Sequence, residues 1–233
     1  MRVLIALAEP LPPQASGGSQ RVAFEIAGGL AALGDDTVVA GRLIARRRSA
    51  AGQVVRALLG RCAQIAGRHD GVAVRSFFRG GRGFGEVLDA AAPDVVLLHA
   101  MSAMPLARIA ADRGLPLVIY WHDIEFHKLG GEPPEAGTCH IANSIFTAGR
   151  VRDRFGVDPV VVPPIFARIA GDGQGTHDRV LFINPVADKG LEHALRIAAL
   201  CPDIPFEFVE SWTLDAAQRA ALTARLAALP NVT

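Results

Sequence analysis

The residues of this chain best suited to chemistry stand where short apolar runs end. Gly17 and Gly18 separate one such run from a helical pattern, His122 directly follows another, and Lys189 follows a third. In open α/β sheets, ligands lie outside the carboxyl ends of the strands. These are therefore the positions that we expect to face a ligand.

The glycine pair belongs to the sequence Ser-Gly-Gly-Ser over residues 16–19. Two glycines let a ligand approach the backbone, and the N-terminus of the helix predicted after them offers free N–H groups to an anion. Ser16 or Ser19 could cap that helix. The pattern is neither G-x-G-x-x-G nor a phosphate loop with its lysine, which disfavours dinucleotide binding and ATP hydrolysis. An ordinary tight turn explains these residues equally well.

His122 directly follows the strand-like run LPLVIYW, and Asp123, Glu125 and His127 come shortly after it. A histidine at a strand end can donate a hydrogen bond to a sugar hydroxyl or act as an acid or a base. Two histidines five residues apart in a loop match no helical metal-binding pair, so we expect no metal site. The alternative for His122 is an ordinary loop histidine without a ligand.

Two further candidates precede helical patterns. Lys189 stands before the helix predicted over residues 191–200, where it is either a point charge well placed for a diphosphate or a solvated surface lysine. Ser144 stands before the helix predicted over residues 145–155, where a capping role alone explains it.

An arginine-rich segment, residues 46–68, predicts an amphipathic helix with Ile65 on its apolar face and Arg47, Arg48 and Arg61 largely off it. A basic rim of this kind suits a surface of anionic lipids. A helix packed on the core with its arginines in solvent is the alternative.

The composition favours a soluble protein with one full domain and part of a second. Half of the 233 residues are hydrophobic, the formal net charge is +1, and the three cysteines lie far apart. The balanced charge carries no nucleic-acid signature, and the cysteine spacing favours reduced thiols in the cytoplasm. No apolar run reaches the roughly 18 residues that a spanning helix needs. Membrane contact would therefore be peripheral, at the inner face.

The elements that must position the candidate residues alternate between strands and helices. Residues 1–8 form a continuous apolar run typical of a central parallel strand. We predict a doubly wound, Rossmann-like parallel sheet over residues 1–168, a linker over residues 169–178 and an incomplete second α/β unit over residues 179–233. Inside the first domain, a glycine-rich turn is expected before a helix near residues 86–91.

Taken together, these segments resemble a retaining glycosyltransferase of family 4, which has the two-domain B-type fold. The similarity covers nearly the whole chain, with the motifs in the family's order and spacing. The matching segments are MRVLIALAEP, SGGSQRVAFEIAGGLAALG, DVVLLHA, LPLVIYWHD, CHIANSIFTAGRVRDRFG, VVVPPIF and RVLFINPVADKGLEHAL.

The resemblance implies binding of a nucleotide-sugar such as UDP- or GDP-hexose, which is a substrate, so no cofactor is expected. Gly17 and Gly18 would approach the donor diphosphate, Lys189 would hold one of its phosphates, and His122 would contact the donor sugar as the catalytic residue. The full expected donor-binding set is Gly17, Gly18, Asn184, Lys189 and Ser144.

The resemblance also bears on the acceptor. Acceptors of the family bind mainly to the N-terminal domain, and the arginine-rich segment lies where members that glycosylate lipids dock on membranes. Arg47, Arg48 and Arg61 are therefore candidate membrane or acceptor contacts. A cell-envelope polysaccharide or lipid-linked glycan is the acceptor that this implies.

Two features depart from the family pattern. Members commonly carry a Gly-Arg pair where this chain has Ile183, Asn184 and Pro185, so one positive charge is missing. The chain also ends at Thr233, before the later Glu-rich segment that binds ribose and sugar in the family. We therefore expect this chain to bind nucleotide-sugar poorly and to turn over little.

Two other functions stay open at this stage. A non-catalytic remnant could serve as an acceptor-binding or membrane-docking module. A sugar-nucleotide epimerase on the same two-domain fold would need acid–base residues facing the sugar, and His122, Asp123 and Glu125 are the visible candidates.

Overall fold

The computed structural model describes residues 1–15, 17–44, 55, 59, 62–78, 80–99, 101–135, 137–165, 177–212 and 214–233. The chain divides into two compact units, Met1–Arg168 and Ile169–Thr233. The linker predicted over residues 169–178 lies mostly outside the described residues, so the three-part division stays a prediction.

The first unit is built on a mostly parallel sheet. Its strands within the described residues are β1 (Arg2–Ala6), β2 (Asp36–Arg42), β3 (Gln64–His69), β4 (Val72–Phe77), β5 (Val95–His99), β6 (Leu117–Trp121), β7 (Thr138–Ala142) and β8 (Val160–Val161). They lie in the order β3-β4-β2-β1-β5-β6-β7-β8. Neighbours are parallel except β3 and β4. The strand order reverses beside the central β1, which is where ligands bind in open α/β sheets.

Helices cover both faces of this sheet. Within the described residues they are α1 (Gly18–Ala32), α2 (Gly80–Ala91), α3 (Met104–Ala111) and α4 (Ile145–Phe155). Val22 and Ala27 of α1 belong to the core on one face, whereas Phe84 of α2, Met104 of α3 and Val151 of α4 belong to the core on the other. The doubly wound, Rossmann-like parallel sheet predicted from the sequence is confirmed.

The central strand β1 shows why a continuous apolar run predicts a strand covered on both faces. Leu4 and Ala6 are buried in one core cluster, and Val3 and Ile5 are buried in the other. Because successive side chains of a strand point to opposite faces, both sets must be apolar when both faces are covered.

The helix predicted over residues 46–68 is wrong at its C-terminal end. Gln64–His69 forms β3 and pairs antiparallel with β4. The chain turns at Asp70 and Gly71, whose φ angles of 47° and 79° suit a two-residue hairpin turn, for which Asp-Gly is a preferred sequence. Pairing with β4, which is itself part of the sheet, therefore overrides the helical period. Cys62 and Ala63 are not helical either. Residues 46–61 of the predicted helix, including Arg47, Arg48 and Arg61, lie outside the described residues, apart from the helical Val55 and Leu59.

The glycine-rich turn predicted before residues 86–91 is also wrong, because α2 already begins at Gly80. The glycines there serve packing. A Cβ on Gly83 would lie 2.0 Å from the carbonyl oxygen of Phe78, and a Cβ on Gly85 would lie 2.7 Å from the guanidinium of Arg113. The small residues thus let the first turns of α2 lie directly against neighbouring segments.

The second unit is a smaller α/β arrangement. Its described elements are β9 (Val180–Ile183), α5 (Leu191–Leu200), β10 (Phe206–Val209) and α6 (Ala216–Leu226). The two strands are parallel, and Ala198, Phe206 and Val232 form the buried cluster beneath α5. Helix α5 has the bounds that were predicted from the sequence.

Candidate functional site

A cavity of about 240 Å³ lies at the carboxyl ends of the central strands of the first unit. It is bounded by the residues that follow β1, β5, β6 and β7 and by the N-terminus of α1. The described residues that line it are Leu7, Ala8, Glu9, Gly18, Ser19, Val22, His99, Met101, His122, Asp123, Asn143 and Pro164. The sheet thus brings two predicted site residues, Gly18 and His122, into one cavity.

Two histidines stack in the floor of this cavity. The rings of His99 and His122 lie 4.6 Å apart at 17°, and the ring of Tyr120 lies 4.1 Å from that of His122. His99 is 3% exposed. Within the part of the chain that the structure describes, neither ring nitrogen of His99 has a hydrogen-bond partner, nor does Nε2 of His122. Buried polar atoms without a partner are rare in folded proteins, and these nitrogens keep their hydrogen-bonding capacity for another group.

Both histidines are neutral at physiological pH. Burial lowers the pKa of His99 to about 3, with a smaller contribution from the charge of His122. Burial also lowers the pKa of His122 to about 4. A neutral imidazole has one N–H donor and one bare nitrogen acceptor, so each ring can give and receive a hydrogen bond.

We expect acid to destabilise the first unit through this pair. Below a pH of about 6.5, His99 and His122 bind protons in the unfolded chain, whereas in the folded chain their rings do not. The unfolding free energy therefore falls as the pH falls, by up to about 1.4 kcal/mol per pH unit for each ring. The fall continues toward the folded-state pKa values of about 4 and about 3. Urea unfolding at about pH 7 and about pH 5, where carboxylates stay ionised, measures it. His99→Phe should flatten the slope, and an unchanged slope contradicts the burial of a neutral ring.

The N-terminus of α1 differs from the prediction. Gly17 is the N-cap residue, in extended backbone and without a side-chain cap. Ser19 lies inside the helix, so its predicted capping role is wrong, and Ser16 lies outside the described residues. The Ser19 hydroxyl donates instead to Oε2 of Glu9, 2.8 Å away. A hydrogen bond to a charged carboxylate is stronger than one to a neutral group, so Glu9 is a good partner for this hydroxyl.

Glu9 is held in place by the loop between β1 and α1. Nε2 of the buried Gln20 donates to Oε2 of Glu9 at 3.3 Å and to the carbonyl of Pro10 at 3.0 Å. The carbonyl of Glu9 accepts from the backbone N–H of Arg42 at 2.8 Å. The loop is therefore fixed to β2, and it carries a carboxylate into the cavity.

Replacing Gly41 should displace this loop. A Cβ there would lie 2.4 Å from Cγ of Leu11 and 2.8 Å from the carbonyl oxygen of Glu9, so we expect Gly41→Ala to lower the unfolding free energy by about 1–3 kcal/mol. Gly29→Ala is the matched control, because open space surrounds that helical glycine and alanine favours the helix by up to about 1 kcal/mol. Chemical denaturation measures both, and equal effects would contradict the close approach at Gly41.

The end of β7 supports His122 from the other side. Nδ2 of Asn143 donates to the carbonyl of His122 at 2.8 Å. Ser144 caps α4, since its hydroxyl accepts from the backbone N–H of Thr147 at 3.1 Å. The capping role predicted for Ser144 is confirmed, and its role in donor binding stays a prediction.

The other predicted donor residues lie together in the second unit. Asn184 is 8% exposed and has a φ of 61°. Its Oδ1 accepts from the backbone N–H groups of Ser211 at 3.0 Å and Trp212 at 2.6 Å. Nζ of Lys189 lies 4.9 Å above the Trp212 ring. Asn184 thus joins the loops after β9 and β10, a structural role that its sequence position did not indicate.

Glu9 and His99 were not predicted as site residues from the sequence. Glu9 directly follows the apolar run in MRVLIALAEP, and His99 ends the apolar run in DVVLLHA. Parallel strands end at one edge of the sheet, so the same argument that singled out His122 could have found them. Neither a cluster of three metal-ligating side chains nor a helix long and apolar enough to cross a membrane is found among the described residues.

A protein-family model described as Glycosyltransferase Family 4 matches residues 16–165. This range covers the α1 N-terminus, the histidine pair and α4. No curated protein matches the sequence.

Solved structures show the same fold at low sequence identity. The S. aureus MnaA–UDP co-structure has a TM-score of 0.61 and 10% identity, over 100% of this chain and 67% of that one. The catalytic domain of starch synthase IV from Arabidopsis thaliana, bound to ADP and acarbose, has a TM-score of 0.59 and 13% identity, over 99% and 73%. UDP-GlcNAc 2-epimerase from Neisseria meningitidis, bound to UDP-GlcNAc, has a TM-score of 0.56 and 14% identity, over 100% and 71%.

Proposed function

Because the chain belongs to glycosyltransferase family 4, we propose that it transfers a hexose from a nucleotide-sugar, UDP- or GDP-hexose, with retention. The acceptor is a cell-envelope polysaccharide or a lipid-linked glycan. The observation that carries this proposal is the cavity at the switch point of the sheet, with the neutral His122 in its floor. Related folds with bound UDP, ADP or UDP-GlcNAc support a nucleotide-sugar as the substrate class.

His122 is the residue that we assign to the sugar. Its Nε2, which has no hydrogen-bond partner among the described residues, can donate to a sugar hydroxyl or accept from one. The carbonyl of His122 is held by Asn143, and its ring is held by His99 and Tyr120. Such a preorganised group stabilises charge that develops on the sugar without moving during the reaction.

Each unit, taken by itself, offers a group that suits the charged part of a donor: Lys189 in the second unit and the N-terminus of α1 in the first. The ammonium of Lys189 would neutralise charge on the leaving diphosphate. The uncapped N–H groups that follow Gly17, at Gly18 and beyond, suit an anion. In front-face retention the leaving diphosphate accepts the proton of the acceptor hydroxyl, so no carboxylate nucleophile is required. Asn184 and Ser144 complete the proposed donor set through the loops that they hold.

Nucleotide binding tests the proposal most directly. Calorimetric titration of the protein expressed from its complete open reading frame with UDP, GDP and ADP should reveal a preferred nucleotide. Nuclear magnetic resonance of the product from the matching nucleotide-sugar then reports the anomeric configuration, which should equal that of the donor. Absence of binding to every nucleoside diphosphate would count decisively against this function.

Epimerisation is the competing reaction, because Asp123 lines the cavity beside His122 and could act as an acid or base. Oδ1 of Asp123 accepts from the backbone N–H of Glu125 at 3.0 Å. Incubation of the nucleotide-sugar without acceptor separates the two reactions. Transfer leaves the sugar ring unchanged, whereas epimerisation inverts one ring carbon of the nucleotide-bound sugar.

We further propose that Arg47, Arg48 and Arg61 bind an anionic membrane surface at the inner face, where a lipid-linked acceptor would be found. Basic residues near such a surface contribute about 1 kcal/mol each, so replacing all three by serine should weaken binding to phosphatidylglycerol vesicles about 100-fold. Flotation with the vesicles measures it, and unchanged binding contradicts the proposal. The matched control replaces three exposed arginines of the described helices, Arg21, Arg150 and Arg196.

A further inference from the structure

The charged side chains among the described residues that line the cavity of the first unit are all carboxylates. Glu9 and Asp123 are carboxylates, and neither lysine nor arginine occurs among the described residues that line the cavity. His99 and His122 are neutral there, as their burial requires. An anionic group inside this space would meet these carboxylates and a poorly solvated surface, both of which oppose it. The N-terminus of α1, where Gly18 is exposed, is the part of the rim that suits an anion.

The hydrogen-bonding groups in the same space suit hydroxyls. His99 offers a donor and an acceptor that no described residue uses, and His122 offers Nε2. Glu9 receives two hydrogen bonds on Oε2, from Ser19 and Gln20, and a carboxylate has further acceptor sites on its other oxygen. A hydroxyl both donates and accepts, so it can satisfy a neutral imidazole and a carboxylate in the same way that water does.

The remaining wall is apolar. Leu7, Ala8, Val22, Met101 and Pro164 line it, which suits the C–H faces of a ring. The volume of about 240 Å³ falls below the range of roughly 300–1,000 Å³ that is typical of sites for drug-sized ligands. There is room for one small ring.

We infer that this cavity takes one uncharged sugar ring, and that Glu9 and His99 determine specificity by binding its hydroxyls and excluding phosphorylated or carboxylated sugars. The identity of the ring as a sugar rests on the proposed function. The ring is either the hexose of the donor or the terminal sugar of the acceptor. A diphosphate joined to it stays at the N-terminus of α1, where Gly18 is exposed to solvent.

Histidine side-chain resonances report occupancy directly. The ¹⁵N-labelled full chain is titrated at neutral pH with the methyl α-glycosides of glucose, mannose, galactose and N-acetylglucosamine. UDP-glucose and GDP-mannose, each compared with UDP or GDP alone, form a second arm. Glucose 6-phosphate and methyl glucuronide are the charged probes. We expect at least one uncharged ring to shift His99 and His122, and both charged probes to leave them unshifted.

The two arms identify the source of the ring. A shift caused by a free glycoside assigns the acceptor sugar, and a shift caused by a nucleotide-sugar but not by its nucleotide assigns the donor hexose. No shift from any uncharged probe, or a comparable shift from a charged one, overturns the inference. If a nucleoside diphosphate binds but no uncharged sugar shifts the histidine resonances, this inference is wrong and the proposed function stands. If a glycoside shifts them but no nucleotide binds and no transfer occurs, the proposed function is wrong and this inference stands.

Two variants test the specificity residues. Glu9→Gln keeps an acceptor but removes the charge, so binding of the uncharged probe should change less than about threefold and binding of glucose 6-phosphate should become at least about tenfold tighter. His99→Phe keeps a ring against His122 but removes both nitrogens, and should weaken the uncharged probe about tenfold. Glu25→Gln, on the same helix as Ser19, is the control and should change neither. Glucose 6-phosphate binding that Glu9→Gln does not improve contradicts the role of Glu9.

Discussion

Replacing His122 with phenylalanine is expected to lower the rate of hexose transfer by about 10²–10³-fold, the usual effect of removing one preorganised hydrogen-bonding group. The phenyl ring can still stack on His99 and Tyr120, whose rings lie 4.6 Å and 4.1 Å from that of His122. What disappears are the ring nitrogens, of which Nε2 has no hydrogen-bond partner among the described residues. The unfolding free energy should therefore change by less than about 1 kcal/mol.

Parallel measurement of turnover and urea unfolding separates the catalytic role from a structural one. His127→Phe is the matched control, since His127 lies five residues further along in an exposed turn and does not line the cavity. It should preserve turnover. Loss of turnover in proportion to loss of stability would make His122 a packing residue, and full turnover by His122→Phe would remove it from the reaction.

Replacing Trp121 with alanine should have the largest effect on stability, a loss of about 3–5 kcal/mol in unfolding free energy. The Trp121 side chain is fully buried and stacks on Phe155 at 5.1 Å. Its Nε1 donates to Nδ1 of His140 at 3.1 Å. The variant leaves a cavity and an unsatisfied histidine nitrogen together, and since Trp121 precedes His122, it also loosens the end of β6.

Trp212→Ala is the control of the same residue type. Trp212 is 45% exposed and its side chain contacts the ammonium of Lys189, so its removal should cost less than about 1 kcal/mol. Urea denaturation followed by far-ultraviolet circular dichroism compares the two. Similar losses in both variants would contradict the burial of Trp121 between the sheet and α4.

Elements set by local patterns were predicted well from the sequence. Helix α4 has the predicted bounds because Ser144 caps its first turn and Gly156, with a φ of 69°, ends it. Strand β1 was placed at the centre of the sheet because its run is apolar at every position from Val3 onward. Capping and the hydrophobic period act over a few residues, so one sequence contains the whole signal.

Elements that depend on contacts with another segment were not predicted. Gln64–His69 became a strand because β4 pairs with it, although its apolar residues had fitted a helical pattern. The glycines of α2 were taken for a turn, whereas Gly83 is small because the carbonyl of Phe78 lies beside it. Tertiary contacts outweighed local preference in both segments, since propensities differ by less than about 1 kcal/mol per residue.

The same division holds for the candidate site. The sequence alone determined which strand ends carry polar groups, and it singled out His122, Gly17, Gly18 and Lys189, because strand ends and helix starts are local features. Only the tertiary structure decided that His99 stacks on His122 and that Glu9 reaches the cavity. Those contacts join β5 to β6 and the first loop to α1. Side-chain burial, and with it the neutral state of both histidines, exists only once these separate segments pack together.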